Sequence, residues 1–507
     1  MDPLTIFKSV YSMILLIFSI VMIMALIAKR QTKLSDDSHP VAAYFLIWVA
    51  ILWLTMVEGG QASLVGLAPV NRELYKDSHP IAYKCSALGH KGDNLDRYLL
   101  GRQFMVVLVV FCVNISGSPI EDAELWGFPQ WVLDIFFVYG GAMILFTCMV
   151  GQLNTQVNAS LCMLDYTNSY FALFTLWVAM FIEFTGLLHV SYLMQIAVAA
   201  LAGSPITSKE EPRDAAQNIF FYGRCLMSTV FLAFSFAVTL KALFNEQTSM
   251  WDGVPPGVAV VIFFLLMSVV GMLEGMQIAF FAVAKIPAAD RGDSMWAKKT
   301  CEVLYSGDGN NLPGFMVGRQ LCVVSCMLFI ARVTSVKIKK GEENIFGVNE
   351  GFQEFMNTGF LGAFITTTVA SISWQLVASA FPIAFLSNPV TYILLRWCLL
   401  LEATGICRGA WVIAAVHKKI AGFQRDEVYI GTAESRAKTE MADDSSRLAV
   451  GLGHPVKLPN FVETAPRSLQ KLINKDPSVA QYLNSVAAME DGKADKFAEE
   501  GATKEES

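Results

Sequence analysis

Two short patterns carry side chains able to recognise a polar solute. Glu58-Gly59-Gly60-Gln61 is followed by Gly101-Arg102-Gln103, and Glu274-Gly275-Met276-Gln277 by Gly318-Arg319-Gln320. Glu and Gln at i and i+3 share one helix face. A carboxylate only accepts hydrogen bonds, a guanidinium only donates them in a fixed fork, and a carboxamide does both. Gly59, Gly60 and Gly275 lack side chains, so a backbone or a solute can come close. Such a set suits a neutral solute with many hydroxyls, each needing a partner once it leaves water. The competing reading is a clamp in which Glu and Arg only fix helix packing and Gln bonds a backbone carbonyl. Repetition weighs against it, although a duplicated clamp also repeats.

These residues need helices to hold them, and the composition says where those helices lie. The chain has 507 residues, 54% hydrophobic and 16% charged, with a mean hydropathy of +0.47. Soluble domains carry roughly a quarter charged residues. The balance excludes an ordinary soluble enzyme and a disordered scaffold. A net charge of −6 gives no footprint for nucleic acid. Residues 418–507 hold 13 Lys/Arg and 15 Asp/Glu, a polar tail behind an apolar body. A crossing helix needs about 20 apolar residues. Ten runs qualify: 7–28, 41–68, 98–115, 130–152, 169–200, 219–245, 257–284, 314–334, 353–380 and 389–416. The fold class is therefore an all-α integral membrane protein with ten transmembrane helices. Alternating them from a cytosolic N-terminus puts 14 Lys/Arg inside and 10 outside, which favours both termini in the cytosol.

The motifs belong to a longer repeat. Gln152-Leu153 matches Gln375-Leu376, and Glu183-Phe184-Thr185-Gly186 matches Glu402-Ala403-Thr404-Gly405. This gives two five-helix units, 1–205 and 206–420, then a cytosolic tail, 421–507. The tail reads as mostly flexible, with a weak helix around Leu469, Leu472 and Ile473. Five is odd, so the second unit enters from the opposite face, the inverted-repeat design of many transporters. Glu58 and Arg102 then fall in the cytosolic half, Glu274 and Arg319 in the outer half. Glu183 with Thr185 and Glu402 with Thr404 are candidates for a coupling ion, Na⁺ or a proton, or else hydrogen-bonded structural groups. Gln152 and Gln375 either line the path or join helices. His189 reads as a satisfied core residue. Ten cysteines without a CxxC pair or Cys/His array imply neither a disulfide framework nor a zinc site, so no metal beyond Na⁺ is expected. Asn114 and Asn158 open N-x-S sequons, the first beside the outer face and the second inside.

Paired E-G-x-Q and G-R-Q motifs within ten spans resemble the diatom silicon (silicic acid) transporters, over about residues 1–420. The resemblance implies uptake of orthosilicic acid, with Na⁺ coupling in marine members, to supply silica for the cell wall. It also implies substrate recognition by the Glu, Gln, Gly and Arg of the motifs. Silicic acid is neutral, small and carries four hydroxyls. Gln61, Gln103, Gln277 and Gln320 are expected to share those hydroxyls, with Glu58 and Glu274 accepting and Arg102 and Arg319 orienting the carboxylates. The protein would sit in the plasma membrane, or in a vesicle membrane. A homo-oligomer is open, and a C-terminal coiled coil is not clear in this tail.

Two other functions fit the same sequence: a passive channel for small hydroxylated solutes, and a receptor or scaffold signalling through the tail. An enzyme does not emerge. The chain has no G-x-x-x-x-G-K-[ST] phosphate loop, no H-E-x-x-H and no G-x-S-x-G, and needs no cofactor other than a coupling ion.

Overall fold

The computed structural model describes residues 3–431, apart from 121–122, 204–207, 252, 285–290, 292–293, 306–310 and 339–341. The tail helix expected around residue 470 lies outside the described residues. Met1–Ile430 form one compact unit. The main helices are α1 (Pro3–Ala28), α2 (Pro40–Leu67), α3 (Asn94–Gly117), α4 (Gly141–Leu161), α5 (Tyr170–Phe184) and α6 (Val190–Ala202). Next come α7 (Ala215–Phe244), α8 (Pro256–Ala284), α9 (Asn311–Thr334), α10 (Phe360–Ala380), α11 (Pro389–Thr404) and α12 (Gly409–Ala421). Among the described residues, seven helices are long and apolar enough to cross a bilayer, or nine if two bent pairs each count as one span.

Local chemistry sets the helix boundaries. Pro40 opens α2, where the His39 ring accepts from Val41 N. Asp214 and Gln217 form a reciprocal cap on α7. Asn388 and Pro389 start α11. The exposed face of α5 carries Phe171, Phe174, Trp177, Phe181 and Phe184, a stripe that would be a liability in water and is at home in lipid.

The two halves repeat the same local features. Arg30 and Glu246 both have φ of 58°. Isolated bridges join Thr32 to Pro119 and Thr248 to Val336. Gly140 and Gly359 take the left-handed conformation ahead of α4 and α10. A π-helical stretch follows in each, Thr147–Leu153 and Thr366–Ile372. Cys162 and Phe381 share one break, with φ/ψ of −135°/50° and −128°/56°. Gly101 and Gly318 are needed for close approach. A Cβ at Gly101 would run into the Ala179 carbonyl on α5, and one at Gly318 into the Cys398 carbonyl on α11.

The hydrogen bonds correct the alternating ten-span threading and its inverted second unit. Lys209 N and Ser208 Oγ donate to Asp93 at 2.9 and 2.5 Å, and Arg97 pairs with Glu210 at 2.6 Å. The Ser208 hydroxyl is the main reason the Asp93 carboxyl titrates below its usual range. The loop ahead of α7 therefore lies at the end where α3 begins, although the alternating threading puts them on opposite faces. At the far end, Val138 O accepts from Trp251 Nε1 at 3.3 Å and Arg332 Nη1 at 3.0 Å, and Ser249 O accepts from Arg332 Nε at 3.0 Å. There the loop after α7 and the end of α9 join the segment that leads into α4. The α5–α6 pair therefore leaves one end of the molecule and comes back to it. The reason is visible at Gly186 and Gly405, whose left-handed φ of 82° and 73° turns the chain between α5 and α6 and between α11 and α12.

Cysteines placed at Lys91 and Lys209 should react with a membrane-impermeant maleimide from the same face, and one at Gln247 from the other. Opposite labelling of the first two would restore the alternating threading. Gly101→Ala and Gly318→Ala should each cost about 1–3 kcal/mol through overpacking, read as a lower thermal midpoint of the purified protein. Gly223→Ala, whose Cβ would meet nothing within 4 Å, should not lower it.

Candidate functional site

Helix α2 delivers Glu58 to the middle of the bundle, and α3 delivers Arg102 and Gln103. Helices α8 and α9 deliver Glu274, Arg319 and Gln320. All six are buried, with 3–6% of their surface exposed. Arg102 Nη2 stands 2.6 Å from Glu58, and Arg319 Nη1 stands 3.3 Å from Glu274. Each arginine also donates to the glutamine that follows it, at 2.8 Å for Gln103 and 2.7 Å for Gln320.

The π-helical stretches join the two copies. Gln320 Nε2 donates to Gln152 Oε1 at 2.5 Å, and Gln103 Nε2 to Ser371 Oγ at 2.6 Å. Gln152 then donates to Glu58 at 3.2 Å. Gln156 donates to Glu58 at 3.2 Å, and Gln375 to Glu274 at 2.9 Å. One unbroken chain of hydrogen bonds runs from Gln375 through Glu274, Arg319, Gln320, Gln152, Glu58, Arg102 and Gln103 to Ser371. The two motif copies, expected in opposite halves of the membrane, meet in one network. Two carboxylates and two guanidiniums cancel, so the site carries no net charge for a neutral solute to meet.

The bonds also correct the pairing of the glutamines. Gln375 holds Glu274 as Gln156 holds Glu58, and Ser371 takes the place of Gln152. The offset of 219 that relates Glu183 to Glu402 relates Gln156 to Gln375 as well, so Gln156 was findable from the sequence. Ser371 was not, because a serine in an apolar run matches no glutamine.

Gln61 and Gln277 are half-buried, and among the described residues neither makes a side-chain hydrogen bond. The motif glycines are occupied by protein. A Cβ at Gly59 would meet the Tyr166 ring, one at Gly60 the Tyr98 hydroxyl at 2.9 Å, and one at Gly275 the Phe385 ring. Tyr166 also donates to Thr55 O at 2.7 Å, fixing its ring against α2.

The coupling-ion candidates lie apart from this network. Glu183 is buried at the end of α5 and accepts from Tyr192 at 2.8 Å, with His189 at 3.8 Å. Glu402 is half-buried at the end of α11, and no hydrogen bond or ion pair of its side chain is found among the described residues. The Thr185 and Thr404 hydroxyls donate to Ile182 O and Leu401 O at 2.7 and 2.6 Å, and accept from Leu187 N and Ile406 N. They cap the helix ends. Asn114 and Asn158 are buried, hydrogen-bonded to Ser118 and to Ala414 O. The described residues contain no group of three or more His, Cys, Asp or Glu able to hold a metal ion.

No curated protein and no solved structure matches the chain. A family model described as silicon transporter matches residues 1–507, its full length, and the chain belongs to the silicon transporter family.

Proposed function

We propose that the protein imports silicic acid across the plasma membrane by secondary-active transport coupled to Na⁺, and that the cross-linked Glu–Arg–Gln network binds the substrate. The observation that carries this reading is the unbroken chain of hydrogen bonds that joins the two motif copies. Its amides and carboxylates already exchange hydrogen bonds of the kind a tetrahydroxy acid offers. Four hydroxyls donate and accept, and glutamine amides can switch from one another to the solute at little cost in bond count. A charged substrate would unbalance the site, and an apolar one would strand its buried polar groups. Gln61 and Gln277, whose side chains make no hydrogen bond among the described residues, are the amides most ready to meet an arriving hydroxyl.

The same reading fixes a topology. Each unit crosses four times, by α1–α4 and by α7–α10, and the pairs α5–α6 and α11–α12 return to the face they left. Four is even, so the units run the same way, related by an axis along the membrane normal. Regrouping the 24 loop lysines and arginines supports this. Seven move to the side of the termini and five leave it, giving 16 against 8 in place of 14 against 10. The stronger bias puts both termini in the cytosol. Na⁺ coupling is assigned to Glu402 and Glu183, carboxylates at the two helix breaks, with Glu402 the less occupied.

In liposomes carrying the purified protein, Gln61→Ala, Gln277→Ala, Gln103→Ala and Gln320→Ala should each raise the half-saturating silicic acid concentration. The rise should be about three- to tenfold, the worth of one neutral hydrogen bond of roughly 0.5–1.5 kcal/mol. Normal kinetics in all four would remove the network from substrate binding. Glu402→Gln should blunt the acceleration of uptake by a Na⁺ gradient, and more so than Glu183→Gln, since Tyr192 already holds Glu183. An unaltered Na⁺ response in both variants would return these residues to structural roles.

A further inference from the structure

A shallow cleft, open to solvent, lies at the end of the bundle where α1, α3, α7 and α9 finish. Its lining includes Asn114, Ser118, Gly140, Met143, Leu328 and Arg332. Leu328 follows Gln320 by eight residues on α9, which places the cleft about 12 Å above the network at 1.5 Å per residue. The repeat predicts a twin on the other side of the axis, built around Ser335, Gly359, Gly362 and Phe111. That twin is filled. A Cβ at Gly359 would stand 3.2 Å from the Phe111 ring, and one at Gly362 would run into the Thr334 side chain and stand 3.1 Å from Phe111, whereas nothing lies within 4 Å of a Cβ built at Gly140. Phe111 is the counterpart of Leu328 and is 1% exposed. Ser335 is 7% exposed, while its counterpart Ser118 is half-buried. The twin holds Phe111 where the cleft has Leu328, and Thr334 where the cleft has Gly117.

We propose that a small hydroxylated solute reaches the network from the outer face by the cleft over Leu328, because Phe111 and Thr334 together fill its twin. The mouth is suited to such a solute. Asn114 and Ser118 offer polar side-chain atoms, and the Arg332 guanidinium is held in place by the carbonyls of Val138 and Ser249. The proposal rests on the transport reading given above. Its geometric core, however, is tested without any substrate.

Ser118→Cys and Ser335→Cys, made singly in the full chain, are treated in intact cells with a membrane-impermeant maleimide, with the unmodified protein as background. Ser118→Cys should label and Ser335→Cys should not. Adding Leu328→Phe, Phe111→Leu and Thr334→Gly together should reverse that order. Leu328→Phe alone should slow initial silicic acid uptake by about tenfold, a change of about 1.4 kcal/mol in barrier, at unchanged surface abundance. The triple exchange should restore uptake through the second mouth. Equal labelling of the two cysteines, labelling of Ser118→Cys only from the cytosolic side, or full uptake by Leu328→Phe would each overturn the proposal. If Leu328→Phe fails to reach the surface, the labelling of the single cysteines still decides it. If the protein carries no silicic acid at all, the uptake arm fails while the labelling pattern stands, and the fault then lies with the substrate.

Discussion

Two carboxylates and two guanidiniums sit at the centre of a helix bundle built for lipid, and the fold is arranged around pairing them. An ion at that depth is costly on its own, and a buried pair that loses one member costs about 3–5 kcal/mol. Glu58 is held by Arg102, Gln152 and Gln156, and Glu274 by Arg319 and Gln375. These partners arrive on four different helices. The π-helical stretches of α4 and α10 supply the links between copies, because an extra residue in the turn brings Gln152 against α9 and Ser371 against α3. Neither unit completes its network alone, which ties the two halves into one site.

Close packing makes the network possible. Gly101 and Gly318 precede the motif arginines by one residue, and they let α3 and α9 touch the carbonyls of α5 and α11. The motif glycine and the motif arginine thus serve one task, bringing a guanidinium to a fixed depth. Gly59 and Gly275 seat the aromatic rings of Tyr166 and Phe385 in the same way. The rings follow the breaks at Cys162 and Phe381, so each break lies close to the motif it supports.

The sequence exposed the apolar helices, the duplicated motifs and the pairing of Glu58 with Arg102 and Glu274 with Arg319, because apolar run length and repeated polar residues leave marks in one dimension. It misled where a helix was long enough to cross and does not. Residues 169–200 read as one apolar span, and nothing but the left-handed turn at Gly186 and the bonds from Asp93 and Arg97 to the loop at 208–210 marks it as a returning pair. In the topology proposed above, one such misreading changes an even number of crossings to an odd one and turns a parallel unit into an inverted one. Gln156 was hidden by a plausible but wrong alignment of Gln152 with Gln375. The closed twin of the outer cleft depends on Phe111 and Thr334 against Leu328 and Gly117, which in the sequence are ordinary core residues.

The most direct test of the network as the substrate site is a structure of the purified protein determined with saturating silicic acid. Density for the acid among Glu58, Gln103, Glu274 and Gln320 is expected, with the Gln320–Gln152 and Gln103–Ser371 bonds opened to receive it. An unaltered chain of hydrogen bonds, with the acid bound elsewhere or absent, would contradict it.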